Sequence, residues 1–253
     1  MGLSFSSALG FKKRDVITLV GAGGKTSILK ILAGELEKNL LITTTTHFQS
    51  MSDLKKKQII SNYFGQITSR IVTIRKESNE KIYIASKIVS ELENGEKKLK
   101  GISPDWVDEL HNQYKNEIFI IEGDGSALRP IKAPVDYEPV VPNSTSHLLV
   151  VIGMGVLGKM INKKNCHRIN KIKNLARDNI IDKELIIKLF TANDTYGFYQ
   201  DQVENYIPVL NQLDSCDLNK AEQIGKKLLA RGVKKVILTD TLRVNPIIKI
   251  LTT

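Results

Sequence analysis

The stretch from residue 15 to residue 36, DVITLVGAGGKTSILKILAGEL, constrains this chain more than any other. Residues 16–20 are an unbroken apolar run of strand length. Gly21-Ala22-Gly23-Gly24 and Lys25-Thr26-Ser27 follow, and then Ile28, Leu29, Ile31 and Leu32 recur at helical spacing. A buried strand, a glycine turn, Lys-Thr and a helix together predict a phosphate-binding loop. The glycines let the backbone curl so that several N–H groups face one anion, and the helix start adds partial positive charge. In such a loop Lys25 reaches the β- and γ-phosphates of a nucleoside triphosphate and acts in catalysis. The Thr26 hydroxyl ligates Mg²⁺, while Gly21, Ala22, Gly23, Gly24 and Ser27 complete the nucleotide cradle.

The loop is shorter than the usual pattern, because only Ala22 and Gly23 lie between Gly21 and the Gly24-Lys25 pair. In this it resembles the loop of the Mur ligases, whose nucleotide is ATP. The alternative is a tight strand–helix turn that happens to contain a lysine.

Further along, residues 39–42 read as a short strand that ends in Thr43-Thr44-Thr45-Thr46-His47. Hydroxyls there are candidates for Mg²⁺ or the terminal phosphate, Thr46 above all, or they only fill a strand end of high β-propensity. His47 is either a base lining the substrate or a surface residue. Residues 117–121 are a second buried strand, ending in Glu122-Gly123-Asp124-Gly125. Carboxylates just past a parallel strand sit where a doubly wound sheet does its chemistry. Glu122 and Asp124 are therefore catalytic candidates, and Asp124 a metal ligand, with a plain Asp-Gly turn as the alternative. Prolines 130, 134, 139 and 142 then stiffen a loop suited to be a lid or substrate wall, with Lys132 in it.

Residues 147–152 form the clearest strand after the first and run into Gly153-Met154-Gly155-Val156-Leu157-Gly158, a literal G-x-G-x-x-G. An NAD(P)-binding oxidoreductase is the reading this pattern suggests. The context argues against it, since residues 159–182 show no second strand ending in an acid. A late strand, 206–210, ends in Asn211-Gln212-Leu213-Asp214. The Asn211 amide matches the guanine N7/O6 edge and the Asp214 carboxylate matches N1 and N2, which favours GTP. Gln212 stands where GTPases carry a lysine, and Asp214 as a helix cap is the alternative.

The remaining pattern places strands at 71–74, 82–85 and 233–239, with a hairpin across 76–80. Helices are expected over part of 53–68, at 88–92 before Asn94-Gly95, from Ser103-Pro104 onward, and at 182–191, 196–205 and 221–229. The first helix is expected to end near Glu37, and the tail to be a short helix or strand. Alternating strands and helices predict an α/β chain with a doubly wound, mostly parallel sheet covered on both faces, a three-layer arrangement of the P-loop NTPase type. A single domain over 1–253 is expected, with an inserted subregion around 53–115.

Composition narrows the class without choosing within it. At 42% hydrophobic and 25% charged residues the chain is ordinary for a globular protein, and it has no apolar run of membrane-spanning length. The N-terminal residues lack the basic-then-apolar order of a signal peptide, and two cysteines give neither a disulfide framework nor a metal cluster. The expected compartment is the cytoplasm. The net charge of +10 is spread over scattered lysine clusters, and only 6% of residues are aromatic, so nucleic acid is not the expected partner. The block KMINKKNCHRINKIK, residues 159–173, is the one suited to an anionic partner.

Seven segments taken together resemble one family: LVGAGGKTS, ITTTTH, IEGDGS, PIKAP, EPVVP, VVIG with LGK, and VLNQLD, in this order between residues 19 and 214. The chain is similar to the YqeC-like selenium-dependent hydroxylase accessory proteins. It departs from their pattern at Gly155, near which an acid often stands. The resemblance implies a P-loop NTP-binding fold using GTP or ATP with Mg²⁺. It also implies a role in maturing selenium-dependent molybdenum hydroxylases, with the hydroxylase or its molybdenum cofactor as partner. Two classes stay open: an NTPase or NTP-dependent transferase, and a nucleotide-sensing chaperone that docks on a hydroxylase.

Overall fold

The computed structural model describes residues 3–36, 38–49, 57–91 and 97–253. At its centre is β1 (Val16–Gly21), buried along its whole length. It pairs in parallel with β10 (His147–Gly153) on one side and β8 (Ile118–Glu122) on the other. Beyond β10 lie β12 (Asn205–Asn211), β13 (Lys235–Thr239) and β14 (Ile247–Thr252). Beyond β8 lie β2 (Leu40–Thr44), β5 (Ile82–Ala85) and β4 (Gln58–Ile60). The order is β14-β13-β12-β10-β1-β8-β2-β5-β4, and only the β13–β14 pairing is antiparallel.

Side-chain alternation along these strands makes both faces apolar, as a sheet covered on both sides requires. Ile17, Leu19, Leu149 and Val151 face α1 (Phe5–Leu9) and α2 (Lys25–Glu35), meeting Phe5, Leu9, Ile28 and Leu32. On the opposite face Val20, Leu148, Val150 and Ile152 pack with α6 (Lys183–Thr191) and α7 (Leu218–Leu229). Val16, Phe119 and Ile121 pack there with α3 (Phe64–Glu77) and α4 (Pro104–Gln113). Each fully buried aliphatic side chain stabilises the fold by about 1.5–3 kcal/mol. The architecture is thus a large, mostly parallel sheet with helices on both sides. Among the described residues no helix is long and apolar enough to cross a membrane.

From β1 the chain steps to β2 on one side, works outward, returns to β8, and then crosses to β10 and works outward on the other side. The carboxyl ends of β1, β2, β8, β10, β12 and β13 consequently share one edge, and the reversal of strand order opens a crevice there.

Some local expectations are corrected. Residues 71–74 are not a strand but part of α3, which buries Ile67 and Ile71 at helical spacing. Their β-branched composition imitates a strand, and packing of one helix face prevails. Where the hairpin was expected, across 76–80, that helix ends at Glu77 and a short connection follows. Residues 88–91 are not helical: β6 (Lys87–Glu91) pairs with β7 (Lys97–Lys100), which pairs with β3 (His47–Gln49). Residues 196–205, expected to be helical, hold one 3₁₀ turn, Tyr196–Tyr199, then irregular turns up to the start of β12 at Asn205. Glu37, Lys55, Lys56, Asn94 and Gly95 lie outside the described residues. A small pair, β9 (Ile131–Lys132) with β11 (Cys166–His167), escaped the sequence pattern, as did α5 (Ile169–Leu175).

Candidate functional site

The glycine loop is forced by its neighbours. Gly21, Gly23 and Gly24 have φ of 95°, 81° and 123°, which L side chains rarely adopt. Space is closed as well: a Cβ on Gly23 would lie 2.3 Å from the Gly153 nitrogen, and one on Gly24 would lie 2.2 Å from Asn211 Nδ2. Gly24 caps α2 without any side-chain hydrogen bond, and no acid stands in the first turn. The first-turn N–H groups of a helix have no intrahelical partners, so α2 presents an uncapped positive end to the crevice.

Buried charges gather behind this loop. Asp124 is fully buried, and both its oxygens accept from the Gly21 N–H at 3.1 Å. Lys25 Nζ donates to the Gly21 carbonyl at 2.7 Å and lies 3.2 Å from Asp124 and 3.7 Å from Glu122. On the far side of Asp124, Lys132 Nζ donates to it at 2.9 Å, to the Gly125 carbonyl at 2.6 Å and to Glu138 at 2.7 Å. Arg168 closes the chain with an ion pair to Glu138. Three cations thus meet three carboxylates, an arrangement that balances charge in a place with little water. Burial pushes the Glu122 carboxyl above its ordinary range; the nearby Lys25 opposes this and Asp124 adds to it. Thr26 Oγ1 donates to Glu122 Oε2 at 3.2 Å, placing a hydroxyl and a carboxylate together at the start of α2.

Two clefts flank Glu122. One, of about 550 Å³, runs from residues 23–27 past Glu122 and Lys159 to Gln212, Asp214 and Leu242. The other, of about 600 Å³, shares Thr26, Glu122, Ser126 and Leu128 with the first and extends to His47, His167 and Arg168.

The sequence candidates fall into three groups. Gly23, Gly24, Lys25, Thr26, Ser27, Glu122 and Asp214 line the first cleft, and His47 is exposed in the second. Gly21 and Ala22 are buried within the loop, and Asp124 lies buried directly behind it. The rest are used elsewhere. Asn211 is fully buried; its Nδ2 donates to the Gly23 carbonyl at 2.7 Å, and its Oδ1 accepts from Thr239 at 2.9 Å. Its amide holds the loop and has no free edge for a base. Lys132 is fully buried and pins Asp124 from behind, so it forms no substrate wall. The Asp124 oxygens are taken by Gly21, Lys25 and Lys132, which leaves Glu122 as the carboxylate beside Thr26. Thr44 donates to the Glu122 carbonyl at 2.6 Å, so the Thr46 hydroxyl, 3.3 Å away, serves as donor to Thr44. The threonine run thereby fastens the end of β8.

Gly153 belongs to the same construction. Its N–H donates to the Pro130 carbonyl at 2.8 Å, and one 3₁₀ turn, Met154–Val156, follows β10 in place of the helix that a dinucleotide fingerprint needs. Sequence reasoning missed Glu138 and Arg168. The basic block 159–173 was the available signal, but nothing local links Arg168 to a glutamate that lies 30 positions away.

The same region carries the family likeness. A family model described as "YqeC protein" matches residues 17–170, which include the loop, Glu122, Asp124, Lys132, Glu138 and Arg168. Asn211 and Asp214 lie beyond the match. The protein named "Uncharacterized protein YqeC" of Escherichia coli (strain K12) is 33% identical over 164 residues, which are 63% of this chain and 60% of that relative. The chain thus spans about three-fifths of the length of that curated relative. No solved structure matches the chain. With a family match that covers more than half of its length, the chain belongs to the YqeC family.

Proposed function

We propose that this chain is a P-loop protein that binds a nucleoside triphosphate with Mg²⁺ and hydrolyses it or transfers its terminal phosphoryl group. The observation that carries the reading is the uncapped start of α2, with Lys25 beside it, at the floor of a cleft of about 550 Å³. That volume is typical of small-ligand sites. The uncapped helix end and the glycine turn suit a phosphate, and Lys25 is one lysine side chain away from it. In the resting arrangement Lys25 neutralises Glu122 and Asp124; a bound triphosphate draws its ammonium to the phosphates. Phosphoryl transfer asks mainly for positioning and charge stabilisation, which these groups supply.

Thr26 and Glu122 offer the hard oxygen donors that Mg²⁺ prefers, and they stand 3.2 Å apart. Mg²⁺, when bound, offsets charge on the β- and γ-phosphates. Asp124 positions: it holds the Gly21 N–H and the lysine. Asp214 lines the same cleft, and its carboxylate suits guanine. Titration of GTP and ATP, with and without Mg²⁺, tests the reading. Asp214→Asn should shift preference from GTP towards xanthosine triphosphate, whose 2-oxo group accepts where the guanine amine donates.

For biological role, the resemblance of the seven segments between residues 19 and 214 implies accessory work in maturing selenium-dependent molybdenum hydroxylases, and the composition favours the cytoplasm. The nucleotide-sensing docking alternative draws on Leu242 and Val244, which are 85% and 99% exposed on the loop after β13. Phosphate release that needs a small molecule favours the enzyme; release stimulated only by apo-hydroxylase favours the docking protein.

A further inference from the structure

Apart from Thr26 and Glu122, the residues that line the second cleft are not used by the nucleotide reading. Arg168 enters it from a left-handed backbone conformation, φ 61°, rare for a residue with a side chain. Its guanidinium is fixed on two sides, by the ion pair to Glu138 and by the Tyr137 ring 5.3 Å below Cζ. Nη1 is buried and without a hydrogen-bond partner among the described residues, so a ligand in the cleft that Arg168 lines reaches it once the guanidinium turns outward. A buried guanidinium nitrogen left unpaired is costly, and a planar oxyanion is its natural complement. Lys98 brings a second cation from the exposed face of β7. His167 stands beside Arg168; burial and the Lys132 and Arg168 cations hold its imidazole below the ordinary range, so it is neutral near pH 7. Glu138 is already engaged by Lys132 and Arg168, and so adds little repulsion.

The wall between the two clefts is the ridge Ser126-Ala127-Leu128, where Ala127 and Leu128 also have positive φ, 49° and 58°. Thr26 and Glu122 face both clefts. A molecule seated in the second cleft therefore adjoins the position at which a terminal phosphate would lie.

We infer that the second cleft binds a second substrate, a small molecule carrying a carboxylate or phosphate, which is read by Arg168 and Lys98. The role of substrate rests on the nucleotide reading of the first cleft; the oxyanion site rests on Arg168 and its surroundings alone. Equilibrium dialysis with radiolabelled inorganic phosphate tests both. The parent chain should bind two phosphates, one at residues 23–27 and one at Arg168. Arg168→Gln should lose one of them, and Lys98→Ala, an exposed change that leaves the buried ion pairs intact, should weaken the same one about ten-fold. Lys25→Ala should lose the other. Two phosphates bound at parental affinity in both Arg168→Gln and Lys98→Ala overturn the inference. So does a parent that binds a single phosphate sensitive only to Lys25→Ala, an outcome that leaves the nucleotide reading standing. A phosphate lost in Arg168→Gln while Lys25→Ala loses none upholds the oxyanion site and contradicts the nucleotide reading instead. If Arg168→Gln does not fold, Lys98→Ala decides.

Discussion

The side-chain amide of Asn211 donates to the carbonyl of Gly23 at 2.7 Å, tying the glycine loop to the end of a strand 188 residues later. The other end of the amide accepts from Thr239, so three strand ends are locked at one point. Replacing Asn211 by alanine should cost about 1–3 kcal/mol of stability, since the Gly23 carbonyl and Thr239 hydroxyl lose a buried partner. It should also weaken GTP and ATP by a similar factor, because the loop loosens and no base contact is lost. A change in the GTP-to-ATP ratio in the variant would instead assign Asn211 to the base.

Gly23 and Gly153 are in near-contact, but they do not tolerate alanine equally. A Cβ on Gly23 meets backbone at 2.3 Å and needs an unfavourable φ; a Cβ on Gly153 meets the end of the Gln212 side chain at 2.2 Å and Pro130 Cβ at 3.0 Å. Gln212 can swing away, and backbone cannot. Gly23→Ala should therefore be the more destabilising by about 1–3 kcal/mol in urea unfolding. Equal midpoint shifts would show that the loop yields.

Lys132 separates the buried carboxylate of Asp124 from the half-buried one of Glu138. Lys132→Met fills the volume but removes the charge, and should cost about 3–5 kcal/mol, the usual result of breaking a buried ion pair from one side. Removing Glu138 as well, with Gln, should restore part of the loss. A Lys132→Met protein as stable as the parent would mean that water reaches this network.

Much of the centre was legible because its signals are local. Residues 16–20, the glycines, Lys25-Thr26 and the helical spacing after them lie on one continuous stretch, and the structure forms the strand, turn and helix in that order. Glu122 was legible from the strand before it. What failed was direction and partner. Asn211 was read as an amide for the guanine edge, because the sequence does not say that its end of β12 presses on the loop. Lys132 looked like a loop residue among prolines, whereas it lies in β9 beside β11, and its side chain is held by Asp124 and Glu138. Arg168 had no local signal beyond its basic surroundings, because its place depends on Glu138 and Tyr137 across the fold.

At the opposite edge of the sheet, burial holds the His147 imidazole below its ordinary range, despite the nearby Asp15 and Glu204 carboxylates. Its Nδ1 is 3.0 Å from Ser146 Oγ and its ring meets Phe11 edge-on at 5.2 Å. Below its ordinary pKa the unfolded chain takes up a proton that the folded chain resists. The stability this group provides is full above about pH 6.5 and is lost as the pH falls further. The melting temperature of the parent should fall between about pH 7.5 and pH 5.5, and the fall should be shallower in His147→Gln. Parallel curves would place the proton uptake elsewhere.

The most direct test of the nucleotide site is calorimetric titration of Mg·GTP and Mg·ATP into the parent and into Lys25→Ala. The expected result is binding of at least one of the two by the parent, weakened by about one to two decades in the variant, as the loss of a charge-assisted phosphate contact implies. Equal affinities in parent and variant, or no binding of either nucleotide by a folded parent, would contradict the phosphate-binding role of residues 21–27.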